Sequence, residues 1–251
     1  MKKKYIVISI ACILAAAICA VIGIYQYVQQ LRAGQEYEKI REEAKKEEAT
    51  EEPEADPIEI PIDFASLQAQ NPDVYAWITV PGTDIDYPIL QSASDNSYYL
   101  THTIDGTESP EGSIFTENYN SKDFEDPNTV IYGHNMKNGS MFQNLHNYQD
   151  RDFFDNNRDV MIYTPDAIRH YKIFAAYLYD NRHILESFDF SDPWVYKQYL
   201  NRIFSIRDMN SFIDTDTEVG VEDKIITLST CYGTQHDVRY LVQAVLVSIE
   251  K

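Results

Sequence analysis

Cys231 stands apart from the other two cysteines of the chain. Cys12 and Cys19 fall inside an apolar run near the N-terminus, whereas Cys231 closes the run KIITLSTC, and Arg239 follows eight residues later at the head of YLVQAVLV. A thiol is a useful nucleophile only as thiolate. Acyl chemistry on it also needs a partner that exchanges protons with the leaving group, and donors that face a developing oxyanion. Histidine, with an ordinary pKa of about 6.5, can give and take a proton near neutrality. Arginine cannot lose its proton, which makes it a poor base and a durable anion-stabilising donor. Cys231, His134 and Arg239 could fill these three roles. Each also has a plainer reading: Cys231 as a small buried apolar residue, Arg239 as an ion-pair partner of Asp237 or Glu222, and His134 as one of six histidines. His102, His146, His170 and His183 have no comparable setting. His236 and Cys231 could both ligate zinc, but no second Cys/His pair at ligand spacing accompanies them, and neither a metal nor another cofactor is expected.

Positioning these groups requires short strands. Residues 224–230 and 240–247 read as a hairpin whose loop carries Gly233 and Asp237, with the thiol and the guanidinium at its mouth. NTVIY, residues 128–132, is a strand that stops at Gly133-His134-Asn135, which puts His134 at a strand end. Residues 74–80 and 84–91 form another strand pair around Pro81-Gly82, with Pro88 suited to an edge or a bulge. Further strands are expected at 112–116, 159–164 and 168–179. Helical spacing is expected after Asp63, through 139–148 and 151–156, and from Asp192-Pro193 through Trp194, Tyr196, Tyr199, Leu200, Ile203 and Phe204. The aromatics of this last stretch, Trp194 included, read as a core-facing stripe. Many short strands with interspersed helices, without βα alternation or internal repeat, predict one mostly β domain over 58–251: a β-barrel decorated by helices.

The rest of the chain reads as an anchor. Lys2, Lys3 and Lys4 precede residues 6–28, a run with no Asp, Glu, Lys, Arg or His; at ~1.5 Å per residue it can span a hydrocarbon core of about 30 Å. The lysines place the N-terminus in the cytoplasm and the body outside, with Tyr5, Tyr25 and Tyr27 at the interfaces. The run is longer than an ordinary signal-peptide core and poorly placed for a lipoprotein cysteine. The expected organisation is a cytoplasmic tip and transmembrane helix over 1–31, a charged solvated stalk over 32–57, and an extracellular domain in which Cys231 is the lone cysteine. An unpaired thiol in a secreted domain is more often reactive than structural. Residues 58–251 carry 13 Lys/Arg against 30 Asp/Glu, within a chain of net charge -19, which argues against nucleic-acid or anionic-lipid partners and favours cationic ones.

TLSTC at residues 227–231, followed by Arg239, resembles the active-site hairpin of sortases, and its STC form that of class B. NTVIYGHNMKNGSMFQNL at 128–145 is similar to the histidine segment of the same class, and WITVPGTDIDYPILQ at 77–91 and GSIFTENYN at 112–120 to its first strands. The resemblance covers nearly all of 64–249. It implies an eight-stranded sortase-type barrel with N-terminal helices and a long helix between the sixth and seventh strands, where the 192–207 segment stands. It also implies a membrane-tethered cysteine transpeptidase of Gram-positive bacteria. Cys231 would be the nucleophile, His134 the general acid and base, and Arg239 the stabiliser of the oxyanion or positioner of the substrate. Asn96, Leu100 and Ser229 resemble groove residues that hold a sorting peptide. The implied partners are sorting-motif surface proteins and the amine of a lipid-linked peptidoglycan precursor. A hydrolase using the same three residues, a pilin-linking sortase and a non-catalytic peptide-binding module are the competing readings.

Overall fold

A computed structural model describes the backbone of residues 2–45, 58–233 and 235–251, and side chains from residue 18 onward except at 26, 30, 33, 235 and 236. Its strands are β1 (Val74–Thr79), β2 (Asp86–Leu90), β3 (Ile114–Thr116), β4 (Asn128–Tyr132), β5 (Asp159–Thr164), β6 (Ala167–Asp180), β7 (Phe212–Ile213), β8 (Ile225–Tyr232) and β9 (Gln235–Glu250). They are ordered β5-β1-β2-β3-β4-β8-β9-β6, and the β5–β6 pairing closes eight of them into a barrel. The two-residue β7 adds to β6 at Ala175 and Ala176, past the end of β5. Closure removes the free edges that an open sheet would expose. Two pairings are parallel, β2 with β3 and β4 with β8, and the second brings the chain leading to His134 alongside the chain leading to Cys231.

The barrel is packed on two sides. Trp77, Ile78, Phe142, Leu228 and Val242 belong to a large cluster that includes residues on both faces of β1, while Phe174, Tyr177, Leu241 and Val245 belong to a second cluster beneath a helix. Burial of both faces explains why residues 240–245 of β9 read as a nearly continuous apolar run rather than an alternating one, and why Thr227, Ser229 and Thr230 of β8 are buried beside it. Pro88 pairs with Trp77 on β1, while β2 meets β3 only at Ile89 and Leu90, so the proline stands on a locally unpaired edge as expected.

Among the described residues five α-helices accompany the barrel: α1 (Lys2–Ala44), α2 (Phe64–Gln70), α3 (Arg151–Asn156), α4 (Ile184–Ser187) and α5 (Pro193–Phe204). Asp63 caps α2 by accepting from Ser66 N at 3.1 Å, and Asp192 caps α5 by accepting from Trp194 N at 2.8 Å. α5 lies between the sixth and seventh strands of the barrel and buries Tyr196, Tyr199, Leu200 and Ile203, an i, i+3, i+4, i+7 stripe. Trp194 does not join that stripe. It is 68% exposed, because two residues before Tyr196 is just over half a helical turn away, on the face opposite the buried stripe.

The expected solvated stalk is partly a docked helix. Tyr37, Ile40 and Ala44 on α1 are buried in the large cluster, and the Tyr37 hydroxyl donates to Gly112 O at 2.7 Å. Arg41 donates to Asp86 O at 3.2 Å, and Lys45 pairs with the Asp86 carboxylate at 2.6 Å. Most of the charged residues face solvent as their composition suggested, while Arg41 turns to Asp86 and every third or fourth position presents an apolar or aromatic side chain to the barrel. The linker residues 46–57 lie outside the described residues. The apolar run 6–28 is part of α1, but the side chains of 6–17 lie outside the described residues; among the described residues no helix is long and apolar enough to cross a membrane.

Candidate active site

The parallel register of β4 and β8 aligns Tyr132 with Ser229, and Gly133 N donates to Ser229 O at 3.1 Å. Two residues further along each chain stand His134 and Cys231, so the histidine leaves its strand beside the thiol. On the opposite side of β8, the antiparallel register makes Arg239 the direct partner of Cys231. A residue separation of nearly a hundred is thus closed by neighbouring strands of one sheet. β8 is buried through Thr230 and half-buried from Cys231, so the strand emerges from the core at the thiol.

His134 is held from both sides. Its Nε2 lies 2.8 Å from the Leu100 carbonyl oxygen, an acceptor, which places a proton on Nε2 and leaves Nδ1 as the nitrogen able to exchange one. Its own carbonyl accepts from Phe142 N at 2.9 Å. Gly133 permits this turn, because a Cβ there would approach Phe142 Cγ to 2.6 Å and Ile114 Cδ1 to 2.5 Å.

Cys231, His134, Arg239, Ser229 and Leu100 line one groove of about 220 Å³. Ser229 sits two residues before the thiol, on the same face of β8, and Leu100 is on the rim. Asn96 is not part of this lining; its Oδ1 accepts from Asn118 N at 2.8 Å and braces the loop beyond β3. The hairpin loop is also tighter than its sequence suggests: β9 begins at Gln235, and the register jumps from the Cys231–Arg239 pair to Tyr232–Gln235. The His236 side chain, considered above as a zinc ligand, lies outside the described residues.

Glu117, Tyr132 and His183 also line the groove, and the sequence reading gave none of them a place in it. Glu117 accepts from the Tyr132 hydroxyl at 3.3 Å and from His183 Nε2. Burial and the Glu117 charge raise the Tyr132 phenol well above its ordinary range, so it stays protonated and donates. No local motif marks Glu117 or His183, because their relation to the thiol arises from the β3 end and the β6–α4 connection meeting across the barrel mouth.

The sequence matches the model of the sortase domain over residues 78–247. It is 37% identical over 199 residues to sortase B of Listeria monocytogenes, covering 76% of each chain, and 30% identical over 168 residues to sortase B of Staphylococcus aureus, covering 67% of each. The chain belongs to the class B sortases. A crystal structure of sortase B from Bacillus anthracis superposes with a TM-score of 0.73 at 31% identity, covering 88% of this chain and 99% of that one. A Staphylococcus aureus sortase B–substrate complex superposes with a TM-score of 0.65 at 29% identity, covering 74% and 84%. The closed eight-stranded barrel is the sortase fold, and this sortase is a cysteine transpeptidase.

Proposed function

We propose that this sortase cuts a C-terminal sorting motif of the Asn/Ser/Pro-Pro-x-Thr type after its threonine and joins the protein to an amino group of a peptidoglycan precursor. The observation that carries this reading is the alignment of His134 and Cys231 on the parallel β4–β8 pair, with Arg239 opposite the thiol on β9, all at one groove. The Cys231 thiolate attacks the threonine carbonyl carbon, and the tetrahedral oxyanion is stabilised by the Arg239 guanidinium. His134, protonated, gives its proton to the departing amine as the C–N bond breaks, leaving a thioester on Cys231. The acceptor amine then attacks the thioester, loses a proton to His134 and expels the Cys231 thiolate. Leu100 and Ser229 flank the peptide, and Asn96 acts by bracing the loop beyond β3.

The apolar run 6–28 serves as a single membrane anchor, with the lysine tip in the cytoplasm and the catalytic domain at the cell surface. The full-length protein should remain with membranes after a high-salt wash and be trimmed by protease added outside intact cells; release by salt would overturn the anchor. For the chemistry, peptides bearing the motif are incubated with the enzyme, with and without an added amine. The expected products are the amide with the amine and the free threonine acid without it. Acid alone in the presence of excess amine favours a hydrolase using the same residues.

A further inference from the structure

His146, which has no distinguishing sequence context, lies against the nucleophile from behind. The register shift that follows Cys231 skips three residues of β9, so the Cys231 carbonyl sits at a break in the ladder. Two side chains converge on that oxygen: Asn135 Nδ2 donates at 3.0 Å, and His146 Nε2 lies at 3.1 Å. Because the acceptor is a carbonyl, Nε2 carries the proton. Nδ1 is then free to accept from Gln149 Nε2 at 2.9 Å, and Gln149 Oε1 accepts from the Tyr232 hydroxyl at 3.4 Å. The bonds run in one direction around a ring that begins at Tyr232 and ends on the carbonyl of the residue before it. The imidazole is also stacked on Tyr240, ring centroids 5.3 Å apart at 28°, which fixes its plane. Burial lowers the His146 pKa and keeps the ring in the neutral form this ring of bonds requires.

We infer that His146 and Asn135 are positioning residues for the transpeptidation: together they fix the peptide plane that follows Cys231 and so aim its thiolate at the scissile carbonyl. Neither is among the residues that line the groove, so on this inference each acts through Cys231 rather than on the substrate. A carbonyl left without partners at a bulge can rotate, and the Cα that carries the nucleophile rotates with it. The inference rests on Cys231 being the nucleophile, as proposed above.

The test is steady-state and single-turnover capture of a fluorescent sorting peptide by the whole enzyme. His146→Phe keeps an aromatic ring against Tyr240 but lacks the donor, whereas His146→Gln places an amide nitrogen about as far from the backbone as Nε2. The Phe variant is expected to lose about 10- to 100-fold in kcat with KM within about two-fold, the scale of a sub-ångström to ångström misplacement of a reacting group. The Gln variant is expected to recover most of the loss, which a packing role would not allow. Asn135→Asp, nearly isosteric but unable to donate, should lose kcat in the same way, and it decides the matter if His146→Phe does not fold. Wild-type kcat in His146→Phe or in Asn135→Asp, or a loss confined to KM, would overturn the inference. Absence of capture by the unmodified enzyme would instead overturn the functional reading beneath it.

Discussion

At the scale of single residues, the proposed mechanism divides the work between a reactive thiol, a proton carrier and a fixed cation. Arg239 can be isolated from the other two. Arg239→Ala should lower kcat/KM for peptide capture by about 10²- to 10³-fold, the usual cost of one oxyanion donor. Alkylation of Cys231 by a small reagent that builds no oxyanion should change far less, and equal losses in both assays would mean that the arginine acts on the thiol. That Cys231, His134 and Arg239 share one groove was legible in the sequence because each stands near the end or the start of a strongly patterned strand, β8, β4 and β9. Glu117, His183 and His146 were not legible, since each reaches the site by a tertiary route. His146 in particular is a polar residue on a 3-10 helix, Gln143–Gln149, whose partner is a backbone carbonyl 85 residues away. No local periodicity encodes such a contact.

At the scale of elements, the junction of α1, β1 and β2 centres on Asp86. Its carboxylate accepts from Trp77 Nε1 and Thr79 Oγ1, each at 2.8 Å, and pairs with Lys45. Burial alone would raise its pKa, but the hydrogen bonds from Lys45, Trp77 and Thr79 and the Lys45 charge together hold it below the ordinary range. A carboxylate whose folded pKa is depressed adds stability above its unfolded pKa of about 3.9, and that stability is lost as pH falls through the folded value. Urea midpoints measured from pH 6 to pH 3 should therefore fall steeply below about pH 4. Asp86→Asn should begin about 1–3 kcal/mol less stable at pH 6 and show a shallower decline. α5 offers a second contrast. Tyr196→Ala, in the buried stripe, should cost about 3–5 kcal/mol, whereas Trp194→Ala should fall within about 0.5 kcal/mol of the parent in chemical denaturation. The sequence located α5 and its cap correctly because Asp-Pro encodes a helix start. It misassigned Trp194 because aromatic content was read ahead of angular position.

At the scale of the whole molecule, α1 is both the expected membrane connection and part of the domain. The charged composition of 32–57 concealed Tyr37, Ile40 and Ala44, three residues whose burial depends on a barrel surface that only the complete fold provides. A soluble enzyme beginning at residue 46 should accordingly be less stable than one beginning at residue 32, at about 1.5–3 kcal/mol for each large apolar side chain removed, as read by thermal midpoint. The barrel and the local β5–β6 hairpin were foreseen from strand spacing, and the barrel's eight strands from the family resemblance. The β1–β5, β4–β8 and β6–β9 pairings were not, since they join segments far apart in the sequence that only three-dimensional order brings together. What that arrangement delivers is a thiol, an imidazole and a guanidinium at one groove, and the central claim is that the thiol carries the acyl group between two amines. Intact-protein mass spectrometry of the enzyme mixed with a sorting-motif peptide tests this most directly. The account predicts an adduct with the mass of the N-terminal fragment, located on Cys231, absent in Cys231→Ala and discharged as an amide on addition of an amine. An adduct that persists in Cys231→Ala, or cleavage of the peptide with Cys231 replaced, would contradict it.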